Sequence, residues 1–405
     1  MTSVKFTGTF EDTLTQNVTR YMVLSDSYFL PSATEDETQA IISATATMKN
    51  AYVEFGTAPG VGNTVTCTLR VNEADTGIVV VVSGTDTTGS DVTHTASVSP
   101  GDRINWKVVT SATNSAARIR MSIQVDGATA NESIMLGTSG SGSAGTANYF
   151  ALDGMSGVGD SQEVRGRQLC PTAGTLKNLY INLVAAPGVG ANRVFTVYQN
   201  GSSTGITVTI ADGNTTGSDT SNTISVSAGD TLSLLSGSSA GVPTASKLRF
   251  GITLDATTSG HFPVLAGGPT DPSTSAVRYT PIQTTRSSFD STGVYETTEV
   301  RFACGQEITM KNAYVKVTTA PGAGKSWAVA VRVNGSDSAL IVNLADANTS
   351  ANDTDDVTVA NFDNLSVGFT PTGTPTSPVQ TAWGINMMMT AQPSAGFEPV
   401  TSWFL

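Results

Sequence analysis

The chain is poor in the residues that most enzymes and nucleic-acid binders use. It has two histidines and three cysteines in 405 residues, and only 13% of its residues are charged. Lysine and arginine total 21 against 33 acidic residues, so the net charge is −12 with no basic run. A chain of that sign repels phosphate backbones, which excludes an electrostatic nucleic-acid binder. The longest apolar stretch, GIVVVVSG at 77–84, is strand length and far below the ~18 residues of a membrane-spanning helix. The first residues, MTSVKFTGTFEDTLTQNVTRYMVL, lack the basic start and apolar run of a secretory signal. Cys67, Cys170 and Cys304 form an odd set without metal-ligand spacing, and are expected to be free buried thiols of a protein folded in a reducing cytoplasm.

What is abundant is Val, Ile and Thr in short alternating runs, separated by Gly, Asn, Asp and Ser. ITVTI (206–210) is one such run, and VFTVYQNG (194–201) leads into an Asn-Gly hairpin turn. No convincing helical periodicity appears, so the expectation is an all-β chain. An internal repeat organises it. KNAYVEFGTAPGVG (49–62) returns as KNLYINLVAAPGVG (177–190) and KNAYVKVTTAPGAG (311–324), at offsets of 128 and 134 residues. TTGSD ending at Asp91 recurs at Asp219 and, as TSAND, at Asp353. SPGD (99–102) matches SAGD (227–230) and decays to NFDN (361–364).

That period is domain-sized, too long for a solenoid or propeller blade. The sequence therefore predicts three tandem homologous antiparallel β-sandwich domains, jelly-roll-like, each of about eight strands starting near Tyr21, Tyr149 and Tyr279. Repeat 1 is placed at 1–130 with 1–20 as an N-terminal extension, repeat 2 at 149–256 and repeat 3 at 277–405. The Gly/Ser-rich 131–148 and Pro/Gly-rich 257–276 are expected to be linkers.

Candidate sites are few. TAPGAGKSW (319–327) approaches a phosphate-binding loop, but its first position is Thr319. The other copies lack Lys325, and the following WAVAVRVNG alternates as a strand instead of opening a helix, so the segment is expected to be a turn. His94 and His261 fall in different units, the second in a linker, and no nucleophile–base or carboxylate pair stands out. No catalytic, cofactor-binding or metal site is assigned. The acidic loop with Asp346, Asp353, Asp355 and Asp356 could supply calcium oxygens, yet it reads better as a solvated turn. Trp106, Trp327 and Trp383 fall in core register, with Arg193 as the counterpart of Trp327. Trp403, Phe404 and Leu405 lie in the terminal TSWFL, outside the repeat, and are the predicted contact with another domain or subunit.

APGAGKSWAVAVRVNG (320–335) and TTGSDTSNTISVSAGDTLSL (215–234) resemble β-sandwich repeats of tailed-bacteriophage and related viral structural proteins. The resemblance covers nearly the whole chain apart from about the first twenty residues. It implies a non-enzymatic virion component without cofactors, a head decoration, head fibre or tail accessory protein assembled in the host cytoplasm. Its partners would be other capsid or tail proteins, in a homo-oligomer for which a trimer is the first expectation, and the tandem modules would form a rod or a lattice-covering chain. No functional residue transfers with it. The alternative is a bacterial surface or carbohydrate-binding module array that takes a host-surface glycan.

Overall fold

A computed structural model describes residues 2–8, 14–25, 31–129, 131–139, 147–156, 159–268, 272–283, 302–303, 305–378 and 380–390. The chain is all-β, and its six sheets face one another in pairs across three separate hydrophobic clusters. Among the described residues the only α-helix is a single turn, Glu163–Gly166, and no helix is long and apolar enough to cross a membrane.

The first sandwich uses β1 (Thr2–Gly8), β2 (Thr19–Met22), β3 (Ala40–Ile41), β4 (Ala46–Thr57), β5 (Gly60–Val71), β6 (Ala74–Gly84), β7 (Thr88–Val98), β8 (Arg103–Thr110) and β9 (Ala117–Gly127). Its sheets run β1-β9-β4-β7 and β2-β8-β5-β6, with β3 added beside β8. With the short β3 set aside, these orders are 1-8-3-6 and 2-7-4-5, the double Greek key of a jelly roll.

The second sandwich uses β10 (Glu132–Ser139), β11 (Asn148–Phe150), β12 (Gly154–Ser156), β13 (Gln168–Leu169), β14 (Gly174–Leu183), β15 (Gly188–Gln199), β16 (Ser202–Asp212), β17 (Thr216–Asp219), β18 (Ile224–Val226), β19 (Thr231–Gly237) and β20 (Leu248–Ala256). The third uses β21 (His261–Gly268), β22 (Arg278–Thr280), β23 (Phe302–Ala303), β24 (Ile308–Val317), β25 (Gly322–Val333), β26 (Ser336–Asp346), β27 (Ser350–Asp353), β28 (Val357–Val359), β29 (Asn364–Thr372) and β30 (Thr381–Met389). Both keep the same strand order, except that the sixth strand is split into β17 and β18 or β27 and β28, and β12 adds a short parallel edge to β10.

Register explains the repeated letters. In Lys-Asn-x-Tyr the asparagine is a bulge: Asn50, Asn178 and Asn312 have φ of 49°, 56° and 48°, and the pairing of β4, β14 and β24 shifts there. Asparagine tolerates this left-handed region better than most residues. The Asp of TTGSD ties two strands together. Asp91 accepts the N–H groups of Val79, Thr93 and His94, and Asp219 those of Thr207, Ser221 and Asn222. Burial alone would raise the Asp91 pKa, but these backbone donors outweigh it and hold the carboxyl at about 2. A depressed carboxylate stabilises the fold above its unfolded pKa of roughly 3.9, and that contribution fades as pH falls towards 2. Asp91→Asn is therefore expected to flatten the acid limb of stability between about pH 4 and 2, as read by urea unfolding at stepped pH; an unchanged limb would show that Asp91 contributes none of it.

Several expectations need correction. The segment 131–148 is not only a linker, because β10 fills Glu132–Ser139 with all eight residues buried. A Cβ on Gly137 would overlap the Phe250 ring of the paired strand, and residues 140–146, where glycine and serine are densest, lie outside the described residues. Likewise β21 occupies much of 257–276, and β1 makes the supposed N-terminal extension the first strand of its sandwich. In the degraded turn, Asp363 is the counterpart of Asp102 and Asp230, one residue earlier than the sequence alignment puts it. Each accepts an amide N–H from Asn72, Asn200 or Asn334.

The largest correction concerns arrangement. A rod of tandem modules would bring the first and third sandwiches no closer than the second allows, yet the contacts close on themselves. β3 of the first lies against β10, β14 and β20 of the second, β13 of the second against β21, β24 and β30 of the third, and β23 of the third against β1 and β9 of the first. Core residues follow the same cycle. Ile134 and Leu136 of β10 join the first cluster, Leu265 of β21 the second, and Val4 and Phe6 of β1 the third. The chain is a closed ring with approximate threefold character.

Candidate functional site

The residues that recur in the sequence converge on the junctions of this ring rather than on a reaction centre. Each junction apposes a turn of one sandwich to the motif tyrosine of the next. Phe362 of the third packs edge-to-face on Tyr52 of the first, with centroids 5.5 Å apart at 78°. Gly229 of the second sits beside Tyr314 of the third. Gly101 of the first sits beside Tyr180 of the second, and there a cleft of about 280 Å³ opens, lined by Ile41, Gly101, Tyr180, Ile181, Asn182, Thr216, Gly217 and Ser218. A second cleft of about 350 Å³ at the same junction includes Asp36, Val184 and Lys247. Arg249, 2% exposed at its side chain, crosses this junction to Asp36 at 2.6 Å, and Lys247 pairs with Glu37.

At the centre, three sandwiches meet on one carboxylate. Asp153 lies four residues after Tyr149, as Ser25 follows Tyr21 and Gln283 follows Tyr279. Its Oδ1 accepts from the Ser25 hydroxyl at 2.9 Å and the Leu136 N–H at 3.1 Å. Its Oδ2 accepts from Gln283 Nε2 at 2.8 Å and Lys5 Nζ at 3.2 Å. The Lys5 and Asp153 side chains are 4% and 0% exposed. Gln168 brackets the Asp153 backbone, accepting its N–H and donating to its carbonyl. The desolvation cost of a buried ion pair of this kind is offset by the further hydrogen bonds that both Asp153 oxygens accept.

The candidates of the sequence fall elsewhere. Gly322 and Gly324 of TAPGAGKSW have φ of 101° and 70° at the bulged start of β25, and Gly324 N–H points at its own Asp346 carboxylate, 2.8 Å away. Gly190 makes the same bond to Asp212. The loop thus spends its N–H group on the chain itself, as a turn does. In the acidic loop, Asp353 accepts Ile341 and Asp355 N–H groups and Asp356 pairs with Lys311 at 2.6 Å, so those carboxylates do not converge. Among the described residues no three His, Cys, Asp or Glu side chains group to hold a metal.

His94 is largely exposed and bonded to Asp91. His261, expected in a linker, lies instead on β21 beside Asn386, where burial and the Lys311 ammonium lower its pKa. Cys67 and Cys170 are free and fully buried, which pushes their thiols up to about 12. Cys304 lies outside the described residues.

Trp106, Trp327 and Trp383 are core residues, and Arg193 occupies the Trp327 position in the second sandwich, 3% exposed, donating to Ser236 and the Thr244 carbonyl. Trp403, Phe404 and Leu405, the interface residues expected from the sequence, lie outside the described residues.

Sequence reasoning missed the junctions. Tyr52, Tyr180 and Tyr314 were visible as repeated letters, but nothing local says that a tyrosine projects onto another sandwich. No protein-family model and no curated protein matches this chain.

Proposed function

We propose that the chain is a non-enzymatic structural protein of a bacteriophage virion, a head decoration, fibre or tail accessory, in which one polypeptide supplies a block of threefold character. The observation that carries this reading is the closed cycle of junctions. Equivalent elements make each junction, so every repeated surface feature recurs once in each sandwich of the ring. The tips of the Ala-Pro-Gly-x-Gly loops are an example: Val61 is 84% and Val189 98% exposed, with exposed Ala323 at the third position. Such a block suits a threefold position on a symmetric particle, which three separate chains would otherwise have to fill.

The use of the repeated polar residues supports the same reading. Asn, Asp and Tyr of the motifs hold bulges, turns and junctions, and the buried Lys5–Asp153 and Arg249–Asp36 pairs join one sandwich to the next. A structural component needs these, whereas an enzyme needs convergent groups around a reacting atom. Protein mass spectrometry of purified virions, followed by particle imaging, tests the reading. The expected result is the chain present at stoichiometric amount on a symmetry position of head or tail. Its absence from the virion would overturn the proposal.

A further inference from the structure

The three turns that meet the motif tyrosines share one backbone but not one side chain. In each, the aspartate accepts the N–H of the residue three before it: Ser99 to Asp102 at 2.8 Å, Ser227 to Asp230 at 2.7 Å and Ala360 to Asp363 at 2.8 Å. The residue before the aspartate is left-handed in all three, with φ of 93° at Gly101, 90° at Gly229 and 65° at Phe362. At these positions Phe362 packs on Tyr52, a Cβ on Gly229 would lie 3.9 Å from Tyr314, and Gly101 lines one cleft with Tyr180.

At the junction that closes the ring, the chain fills the space with the Phe362 ring against Tyr52. Between the first and second sandwiches the same position is Gly101, a Cβ there would meet nothing within 4 Å, and the cleft of about 280 Å³ remains. That volume lies just under the roughly 300–1,000 Å³ of drug-sized pockets and suits a single ring.

Tyr180 supplies the aromatic face of the cleft; Ile41 and Ile181 reach it but are each 2% exposed, Thr216 and Ser218 are hydroxyl residues of its lining, and among the described residues no charged one lines it. Asn182, the amide best suited to hold a sugar hydroxyl, already accepts from Arg249 at 2.5 Å.

We propose that this cleft receives the aromatic ring of a Phe or Tyr side chain presented by a protein partner, packed against Tyr180 as Phe362 packs against Tyr52. The inference deepens the reading above by naming what a neighbouring protein would present. It is tested on the isolated chain, so its failure is separate from failure to find the chain in a virion.

The test is saturation-transfer NMR on the full chain with N-acetylphenylalaninamide as probe and a methyl galactoside in a parallel arm. The wild type is expected to saturate the aromatic probe and not the glycoside. Gly101→Phe, which supplies the missing ring in cis, and Tyr180→Ala, which removes its platform, should each weaken the probe by roughly tenfold. Tyr180→Ala alone decides the matter if Gly101→Phe does not fold. No saturation of the probe in the wild type, an effect unchanged in the variants, or saturation of the glycoside in its place would each overturn the proposal.

Discussion

Asp153→Ala is expected to lower the unfolding free energy by about 3–5 kcal/mol, the cost of stranding one member of a buried ion pair. The substitution leaves the Lys5 ammonium, 4% exposed, without its anion, and deprives the Leu136 N–H of its acceptor. Because the donors to Asp153 come from all three sandwiches, the loss should also separate their unfolding. One urea transition followed by the fluorescence of buried Trp106, Trp327 and Trp383 should broaden or split.

Lys5→Met should cost less, since Asp153 keeps three other donors, and methionine already stands at the matching strand position, Met135. The Lys5→Met/Asp153→Ser double variant should lie closer to the wild type than Asp153→Ala does, because it leaves no buried charge unpaired. A loss below about 1 kcal/mol for Asp153→Ala would mean that the centre is held by packing alone.

Gly251→Ala should be comparably damaging for a steric reason. Its Cβ would lie within 3.0 Å of the Ile41 carbonyl oxygen across the first junction, and a Cβ on Gly384 would meet the Leu169 carbonyl at the second. Both obstacles are backbone, so β3 or β13 must be driven off the neighbouring sheet. We expect a loss of about 3 kcal/mol or more, at the upper end of overpacking costs.

The third junction has the same need and meets it from the other side. Ser122 replaces the strand glycine, and Gly305 faces it; a Cβ there would overlap Tyr52 and the Ser122 hydroxyl. These obstacles are side chains that can shift, so Gly305→Ala should be damaging but less so than Gly251→Ala. Gly205→Ala, on β16 with nothing within 4 Å of its Cβ, should stay within about 0.5 kcal/mol of the wild type. Equal stability of all three variants in urea titration would contradict the junction packing described here.

Much of the architecture was legible because it rests on local rules. The period of two in β16 and β25, the Asn200-Gly201 turn and the bulge asparagines follow from backbone preferences that act within a few residues. The core register of Trp106 and Trp383 followed from comparing copies, since equivalent inward positions stay apolar.

The first strands escaped for an equally physical reason. β10 is buried on both faces, so it lacks the alternation that marks a strand, and in the sequence it runs straight into the Gly/Ser-rich 140–146. A weak signal was present: SVKFTG, SIMLGT and FPVLAG precede Tyr21, Tyr149 and Tyr279 at similar distances, which is the spacing expected of one more repeated strand.

By itself the sequence determined the all-β class, the paired-sheet modules, their turns and the inward face of their strands, since each depends on near neighbours in the chain. Only the tertiary structure decided that the modules close into a ring, that Asp153 draws Lys5, Ser25 and Gln283 together, and that Gly101 leaves a cleft where Phe362 fills one. Those outcomes join residues from different sandwiches, far apart in the chain. Whether they meet depends on summed shape and burial across whole sandwiches, which no local pattern encodes.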